Sequence, residues 1–294
     1  MPTIGFLACE TTLPGAGQRR GDAYEHDLMI AALEPDCAAR GLDLKVIDWE
    51  APLEAFAEVD LAMLGTSWNY QDKPEAYLAK LEALENGGVT VCNSSAITQW
   101  NARKTYLREL AERGAATIPT LWLDGLDAER ALAAMDELDC DRLVVKRQVG
   151  AGALGQELLV RGEIADGWRF DHAALVQPFL PAIASEGELS FIFIDGELSH
   201  ALRKLPAEGD YRIQSLYGGR EDVHEPSAKE VSAAKTIIAA LPFDTPLYAR
   251  IDMLRDGGQL LLMEAELIEP YLYPEQGPEL GERLAHAIAK RCTI

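Results

Sequence analysis

Apolar and polar positions follow two periods along this chain, and the changes of period mark its elements. Thr3–Cys9 is an apolar run with strand character, and Tyr24–Arg40 repeats its apolar residues at helical spacing before stopping at Gly41. Leu42–Asp48, Leu61–Gly65 and Val89–Cys92 predict strands, and Pro74 opens a helix reaching Asn86. This β-α-β-β-α-β order implies a Rossmann-like layer on a parallel sheet, ending near Cys92–Ala96. Beyond it the pattern predicts helices over Lys104–Arg113, Ala128–Leu138, Lys229–Leu241 and Leu280–Lys290. Strands are predicted over Arg142–Arg147, Gln156–Val160, Ala174–Phe179, Glu188–Ile194 and Leu198–Arg203.

Two further apolar runs flank Asp256-Gly257-Gly258 and predict a β-hairpin. Strand side chains alternate, so Glu264 and Glu266 share a face; an even pairing register brings Asp252 and Arg250 onto it. Three carboxylates converging in an apolar hairpin repel one another. A hard cation such as Mg²⁺ would resolve that conflict through oxygen ligands; a solvated acidic edge is the plainer alternative.

Composition narrows the classes. The chain has 294 residues, room for two domains, and carries a net charge of −21, which argues against nucleic acid or an anionic membrane as a partner. Five scattered cysteines without a C-x-x-C pair read as reduced thiols. The N-terminus has no basic, cleavable pattern, and no apolar run spans a bilayer, so the expectation is a soluble cytoplasmic protein. A homodimer or higher homo-oligomer stays open.

Several local patterns carry candidate chemistry. Gly150-Ala-Gly-Ala-Leu-Gly155 matches G-x-G-x-x-G, but the run after it reads as a strand where a dinucleotide fingerprint needs a helix. Strand, glycine loop and strand together describe a flap over phosphates, with Gly150 and Gly152 admitting close backbone approach and Lys146 supplying a charge. Lys104 opposes the dipole of the helix it opens, which suits a bound anion as well as a solvated base. Pro178 in Gln177-Pro-Phe-Leu180 withdraws a donor at a strand end, leaving backbone groups free to pair with a base edge. Arg203, Lys204, Arg212, Gln214 and Arg220 form a cationic stretch able to clamp a phosphate or carboxylate. Beyond the carboxyl end of the third strand, Ser67, Trp68, Asn69 and Tyr70 make a polar, aromatic loop, either a substrate loop or a capped turn. The five histidines have no metal-ligand spacing and read as structural.

In this order the features resemble the ATP-grasp superfamily: a Rossmann-like layer, the Asn101-x-x-Lys104 helix, Val144-Val-Lys146 with a glycine loop, the Gln177-Pro-Phe-Leu180 hinge, Gly187-Glu188 and the carboxylate hairpin. Ser199–Lys204, Tyr248–Asp252 and Glu264–Pro270 look most like the glutathione-synthetase-like ligases, and among these the O-ureido-serine cyclo-ligases of cycloserine biosynthesis. The resemblance implies an α/β (α+β grasp) fold, with a pre-ATP-grasp domain over 1–94 and an ATP-grasp domain over 95–294. Within the latter it implies a small glycine-loop subdomain at about 115–180 and a metal and catalytic subdomain at 181–294. It implies ATP held by Lys104, Lys146, Gln177, Glu188 and the backbone of Phe179 and Leu180, and Mg²⁺ held by Asp252, Glu264 and Glu266. Arg203, Lys204 and Arg250 would be catalytic, and the loop Ser67–Tyr70 with Arg212 and Gln214 would hold a small amino-acid-like carboxylate. The implied reaction makes an acyl phosphate that an amine-type nucleophile attacks, from a second molecule or the same one. Arg212-Ile213-Gln214 stands where glutathione synthetases carry Arg-Gly-Asn, which argues against glutathione as the product. A non-catalytic nucleotide-binding regulator and a dinucleotide-dependent oxidoreductase are the alternative classes.

Overall fold

The computed structural model describes residues 1–149, 155–207 and 218–292. Its first layer is a parallel sheet of β1 (Thr3–Ala8), β2 (Asp43–Asp48), β3 (Leu61–Thr66) and β4 (Thr90–Cys92), in the order β2-β1-β3-β4, with α1 (Ala23–Ala39) and α2 (Pro74–Asn86) as crossovers. Every residue of β1 and β3 is buried, which is why both read as continuous apolar runs. Phe6, Leu33, Leu61, Met63, Leu64, Tyr77 and Leu81 are wholly enclosed there, each contributing about 1.5–3 kcal/mol of burial.

A helix pair follows. Ser94 caps α3 (Ser95–Asn101) by accepting from Ile97 N–H, and α4 (Tyr106–Glu112) begins two residues after Lys104. The predicted single helix from Lys104 is therefore corrected: Lys104 lies in the turn between two helices. A second sheet, ordered β5-β10-β7-β8, joins β5 (Leu121–Leu123), β7 (Arg142–Arg147), β8 (Glu157–Val160) and β10 (Ala174–Pro178). The short pair β6 (Leu126–Asp127) and β9 (Arg169–Phe170) and helix α5 (Ala128–Glu137) complete its core around Leu143, Val145 and Val176.

After α6 (Ala182–Ser185) comes the antiparallel sheet that carries the chemistry. Its order is β13-β12-β11-β14-β15, from β11 (Glu188–Ile194), β12 (Glu197–Leu205), β13 (Arg220–His224), β14 (Tyr248–Asp256) and β15 (Gln259–Glu266). One face, with Leu189, Phe191, Ala201, Ile251 and Met253, shares a core with Ala234 and Ile237 of α7 (Ala228–Ala240). On the other face Ile192, Ile194, Leu202 and Tyr248 pack into the core of the first layer, and the same rows continue as Glu188, Ser190, Lys204, Arg250 and Asp252.

The last helix, α8 (Leu280–Cys292), returns to the first layer. Its buried stripe Leu280, Leu284, Ala285 and Ile288 shares a core with Leu33 and Cys37. Gly281 makes the crossing possible: a Cβ there would stand 1.9 Å from the Ala32 carbonyl oxygen. By packing, the C-terminal segment thus belongs with residues predicted to form an N-terminal unit. Among the described residues no helix is long and apolar enough to cross a membrane.

Candidate active site

The hairpin register pairs Arg250 with Glu266 and Asp252 with Glu264, with an irregularity just after Asp252. All four side chains therefore lie on one face, as alternation requires. Neighbouring strands add Lys204, paired with Glu188, and Ser190, paired with Asp252. The hairpin end is clamped from below by side chains that replace missing ladder bonds. Asn101 Nδ2 donates to Ala265 O (2.8 Å) while Leu267 N–H donates to Asn101 Oδ1 (2.9 Å). Asn93 makes the same kind of bridge to Tyr248 O, Leu267 O and Leu247 N–H, and Ala265 N–H donates to Tyr106 Oη.

Charge on this face is neutralised by protein cations. Arg250 Nε donates to Asp252 (3.1 Å), its Nη2 is ion-paired with Glu266, and its Nη1 donates to Tyr271 O (3.1 Å). Lys204 Nζ lies 2.6 Å from Glu188 and 3.3 Å from Asp252, and Lys104 is ion-paired with Glu264. Burial pushes the Asp252 carboxyl up, but Arg250, Lys204 and the Ser190 hydroxyl together hold it below the usual carboxylate range. Burial pushes Glu266 up to about 7, with Glu264 and Asp252 opposing the relief from Arg250. Glu188, wholly buried, is likewise pushed up to about 7 by burial, against Lys204.

The repulsion that led to the expectation of a metal ion is also relieved by cations of the chain itself, Arg250, Lys204 and Lys104. Among the described residues no group of three or more His, Cys, Asp or Glu is gathered to hold a metal ion. The donor chemistry still fits Mg²⁺, since Asp252 and Glu264 are directly opposed hard-oxygen donors and Glu266 lies two residues along the same face. Glu188 departs from its expected part in holding ATP, because its carboxylate is enclosed as a counter-ion to Lys204. Arg203 is corrected as well. It sits one residue out of phase with Lys204, opposite Leu189 on the other face, with its side chain 44% exposed and 3.8 Å from Asp222.

On the nucleotide side, Lys146 in β7 shares surroundings with Lys104, Glu264 and Glu188. It makes no ion pair or side-chain hydrogen bond among the described residues, and burial pushes its ammonium below the usual lysine range. Lys104 N–H donates to Gln148 O (2.8 Å), joining the two lysine segments. Gln177 is buried and its amide donates to Thr120 Oγ1 (3.0 Å). Phe179 N–H is committed to Arg142 O (2.9 Å), so it cannot serve a base edge as expected; Leu180 N–H makes no hydrogen bond among the described residues. Around it Ile118, Leu180, Ile183 and Leu254 form a small apolar cluster with Phe179, Leu261 and Met263 at its border. The glycine loop is followed by strand β8, which removes the dinucleotide reading. Gly150, Gly152, Arg212 and Gln214 lie outside the described residues.

The loop after β3 contributes less than its composition suggests. Ser67 is fully buried and donates to Leu7 O (3.2 Å), Asn69 is bonded to Trp49 and Glu50, and Tyr70 packs on Tyr77. Trp68 alone of the four reaches across: its Nε1 donates to Glu269 O (3.0 Å), and the Arg20 guanidinium lies 4.9 Å over its ring. Sequence reasoning missed Ser190, Arg20, Gln71 and Glu269. Only Glu269 carried a signal, as an acid three residues past Glu266 before Pro270. A groove of about 530 Å³ lies elsewhere, lined by Ser227, Glu230, Met253, Arg255 and Gly257 away from the carboxylate face.

Comparison with known proteins finds relatives along most of the chain. Residues 4–93 match the family described as D-cycloserine synthetase DcsG, N-terminal domain, and residues 165–270 match the prokaryotic glutathione synthetase ATP-grasp domain. The chain is 27% identical over 277 residues to the cycloserine biosynthesis protein DcsG of Streptomyces lavendulae, covering 87% of this chain and 91% of that one. The crystal structure of D-cycloserine synthetase DcsG superposes with a TM-score of 0.81 at 22% identity, covering 99% of both chains. A D-alanine–D-alanine ligase from Bacillus anthracis complexed with ATP superposes with a TM-score of 0.67 at 16% identity, covering 100% of this chain and 98% of that one. Family matches over residues 4–93 and 165–270, the second of them to an ATP-grasp domain, together with a fold shared along nearly the whole chain, place the chain among the ATP-grasp ligases.

Proposed function

We propose that this ATP-dependent ligase activates a small amino-acid-like carboxylate as an acyl phosphate and passes the acyl group to an amine-type nucleophile. The observation that carries the reading is the strip Lys104–Glu264, Glu266–Arg250–Asp252–Lys204–Glu188 beside Lys146, which has no ion pair among the described residues. Such a strip holds cations already oriented where phosphate charge develops, so little reorganisation is needed during transfer.

In the first step a substrate carboxylate oxygen attacks the γ-phosphorus and ADP leaves with the bridging oxygen. In the second the nucleophile attacks the acyl carbon, phosphate leaves and the nitrogen loses a proton. Lys104 and Lys146 hold the nucleotide phosphates. Leu180 N–H and the apolar cluster beside it receive the base, with Gln177 behind them. Asp252, Glu264 and Glu266 would hold Mg²⁺, which neutralises phosphate charge when bound. Arg250 and Lys204 face the acyl phosphate. The similarity to a cycloserine biosynthesis protein over most of both chains favours an internal nucleophile and hence ring closure.

The test is a screen of D- and L-amino acids and their O- and N-substituted derivatives with ATP, Mg²⁺ and hydroxylamine. Acyl hydroxamate and ADP in equal amounts, dependent on the acid, are expected. ATP binding without acid-dependent ADP or hydroxamate across the panel would overturn the ligase assignment.

A further inference from the structure

Glu269 stands three residues beyond Glu266 on the segment leaving β15. Two anchors fix this segment. Arg250 Nη1 donates to Tyr271 O (3.1 Å), and Trp68 Nε1 donates to the Glu269 carbonyl itself (3.0 Å). Leu267, Ile268, Tyr271 and Leu272 are buried while Glu269 stays partly exposed, between the loop after β3 and the carboxylate face. The other acids of this region each have a cation: Lys104 for Glu264, Arg250 for Glu266, Arg250 and Lys204 for Asp252, Lys204 for Glu188. Among the described residues Glu269 has none within ion-pair distance; the side-chain hydrogen bond it accepts is a long one from Gln71 Nε2, at 3.4 Å. Shielding from water and the neighbouring Glu266 charge push its carboxyl up to about 8, with Gln71 and Arg250 giving only part relief. An acid fixed at its backbone, shielded and short of a cation suits a ligand that brings one.

We propose that Glu269 binds the ammonium group of the acceptor substrate, an α-amino acid or close analogue whose carboxylate lies at Arg250. One carbon separates the ammonium from the carboxylate of such a substrate, and the backbone pinned by Arg250 is two residues from Glu269. The inference rests on the ligase reading and adds to it the group that selects amino acids over simple acids.

The test uses the full-length enzyme with ATP, Mg²⁺ and hydroxylamine, pairing each amino acid with its des-amino acid, such as serine with 3-hydroxypropionate and alanine with propionate. The wild-type enzyme is expected to favour the amine-bearing acid by about 100-fold or more in kcat/KM, mostly through KM. Glu269→Gln should bring that preference below about fivefold by losing only the amino-acid side. Glu269→Asp should recover part of it, and the KM for ATP should not move in either variant. A Glu269→Gln enzyme that keeps the preference, or that loses both acids equally while still binding ATP, would overturn the inference. Wild-type turnover without any amine preference overturns it too and leaves the ligase reading standing. No hydroxamate from any acid overturns both.

Discussion

Arg250 and Glu266 face one another across β14 and β15, and the guanidinium that pairs with Glu266 also holds Asp252 two residues along its own strand. One planar group thus sets the spacing of two of the three acidic side chains of the hairpin. Its third direction, toward Tyr271 O, fixes the segment that carries Glu269. A lysine keeps the charge and loses the fork. Arg250→Lys is expected to lower kcat/KM for the acid by about 100-fold or more, with the KM for ATP little changed. Urea unfolding should show a loss of about 3 kcal/mol from the uncompensated acids. Full activity in this variant would remove Arg250 from the reaction.

Trp68 links the first layer to Glu269 through its indole N–H. Trp68→Phe keeps a ring beneath Arg20 and removes that donor. The KM for the acid is expected to rise about fivefold, the scale of one hydrogen bond, with kcat and stability nearly unchanged. An unaltered KM would separate the loop from the acceptor site.

Gly187 positions the Glu188–Lys204 pair. Its φ is +82° and a Cβ would stand 2.3 Å from the Lys204 carbonyl oxygen, so any side chain forces β11 and β12 apart. Gly187→Ala is expected to cost about 2–4 kcal/mol in urea unfolding and to lower kcat by displacing Lys204. A stable, fully active variant would show that the pair tolerates movement.

His200 gives the fold a pH dependence apart from the site. Its Nε2–H donates to Leu272 O (3.0 Å) and its Nδ1 lies 3.0 Å from the Ser199 hydroxyl, so the neutral ring is satisfied. Burial pushes its pKa from 6.5 down to about 4. The unfolded chain therefore binds more protons between these values. The stabilisation is complete above 6.5 and is lost as pH falls toward 4, by about 3 kcal/mol in all. Urea midpoints should fall between pH 7 and pH 4.5 more steeply in the wild type than in His200→Gln; equal slopes would contradict the assignment.

The hairpin face was legible because it depends only on period-2 alternation and an even register, both local properties of Tyr248–Glu266. The same alternation, applied to Arg203 and Lys204, already forbids both from facing one site. What stayed hidden depends on which strands become neighbours. Ser190 and Glu188 meet Asp252 and Lys204 only through the order β12-β11-β14, and no local pattern fixes that order. The cation–carboxylate pairing was hidden for the same reason, since Lys104 reaches Glu264 over 160 residues of chain. Ser67, Asn69 and Tyr70 looked like ligand groups because polar and aromatic residues serve buried hydrogen bonds and packing equally well. The return of α8 onto α1 turns on Gly281, a residue whose role appears only where two helices touch.

The central claim, carboxylate activation by phosphoryl transfer, is tested most directly with an acid from the hydroxamate screen labelled with ¹⁸O in its carboxylate. One labelled oxygen should pass to inorganic phosphate in each turnover and appear as a shifted ³¹P resonance, with none in ADP. Product formation with unlabelled phosphate would contradict the account.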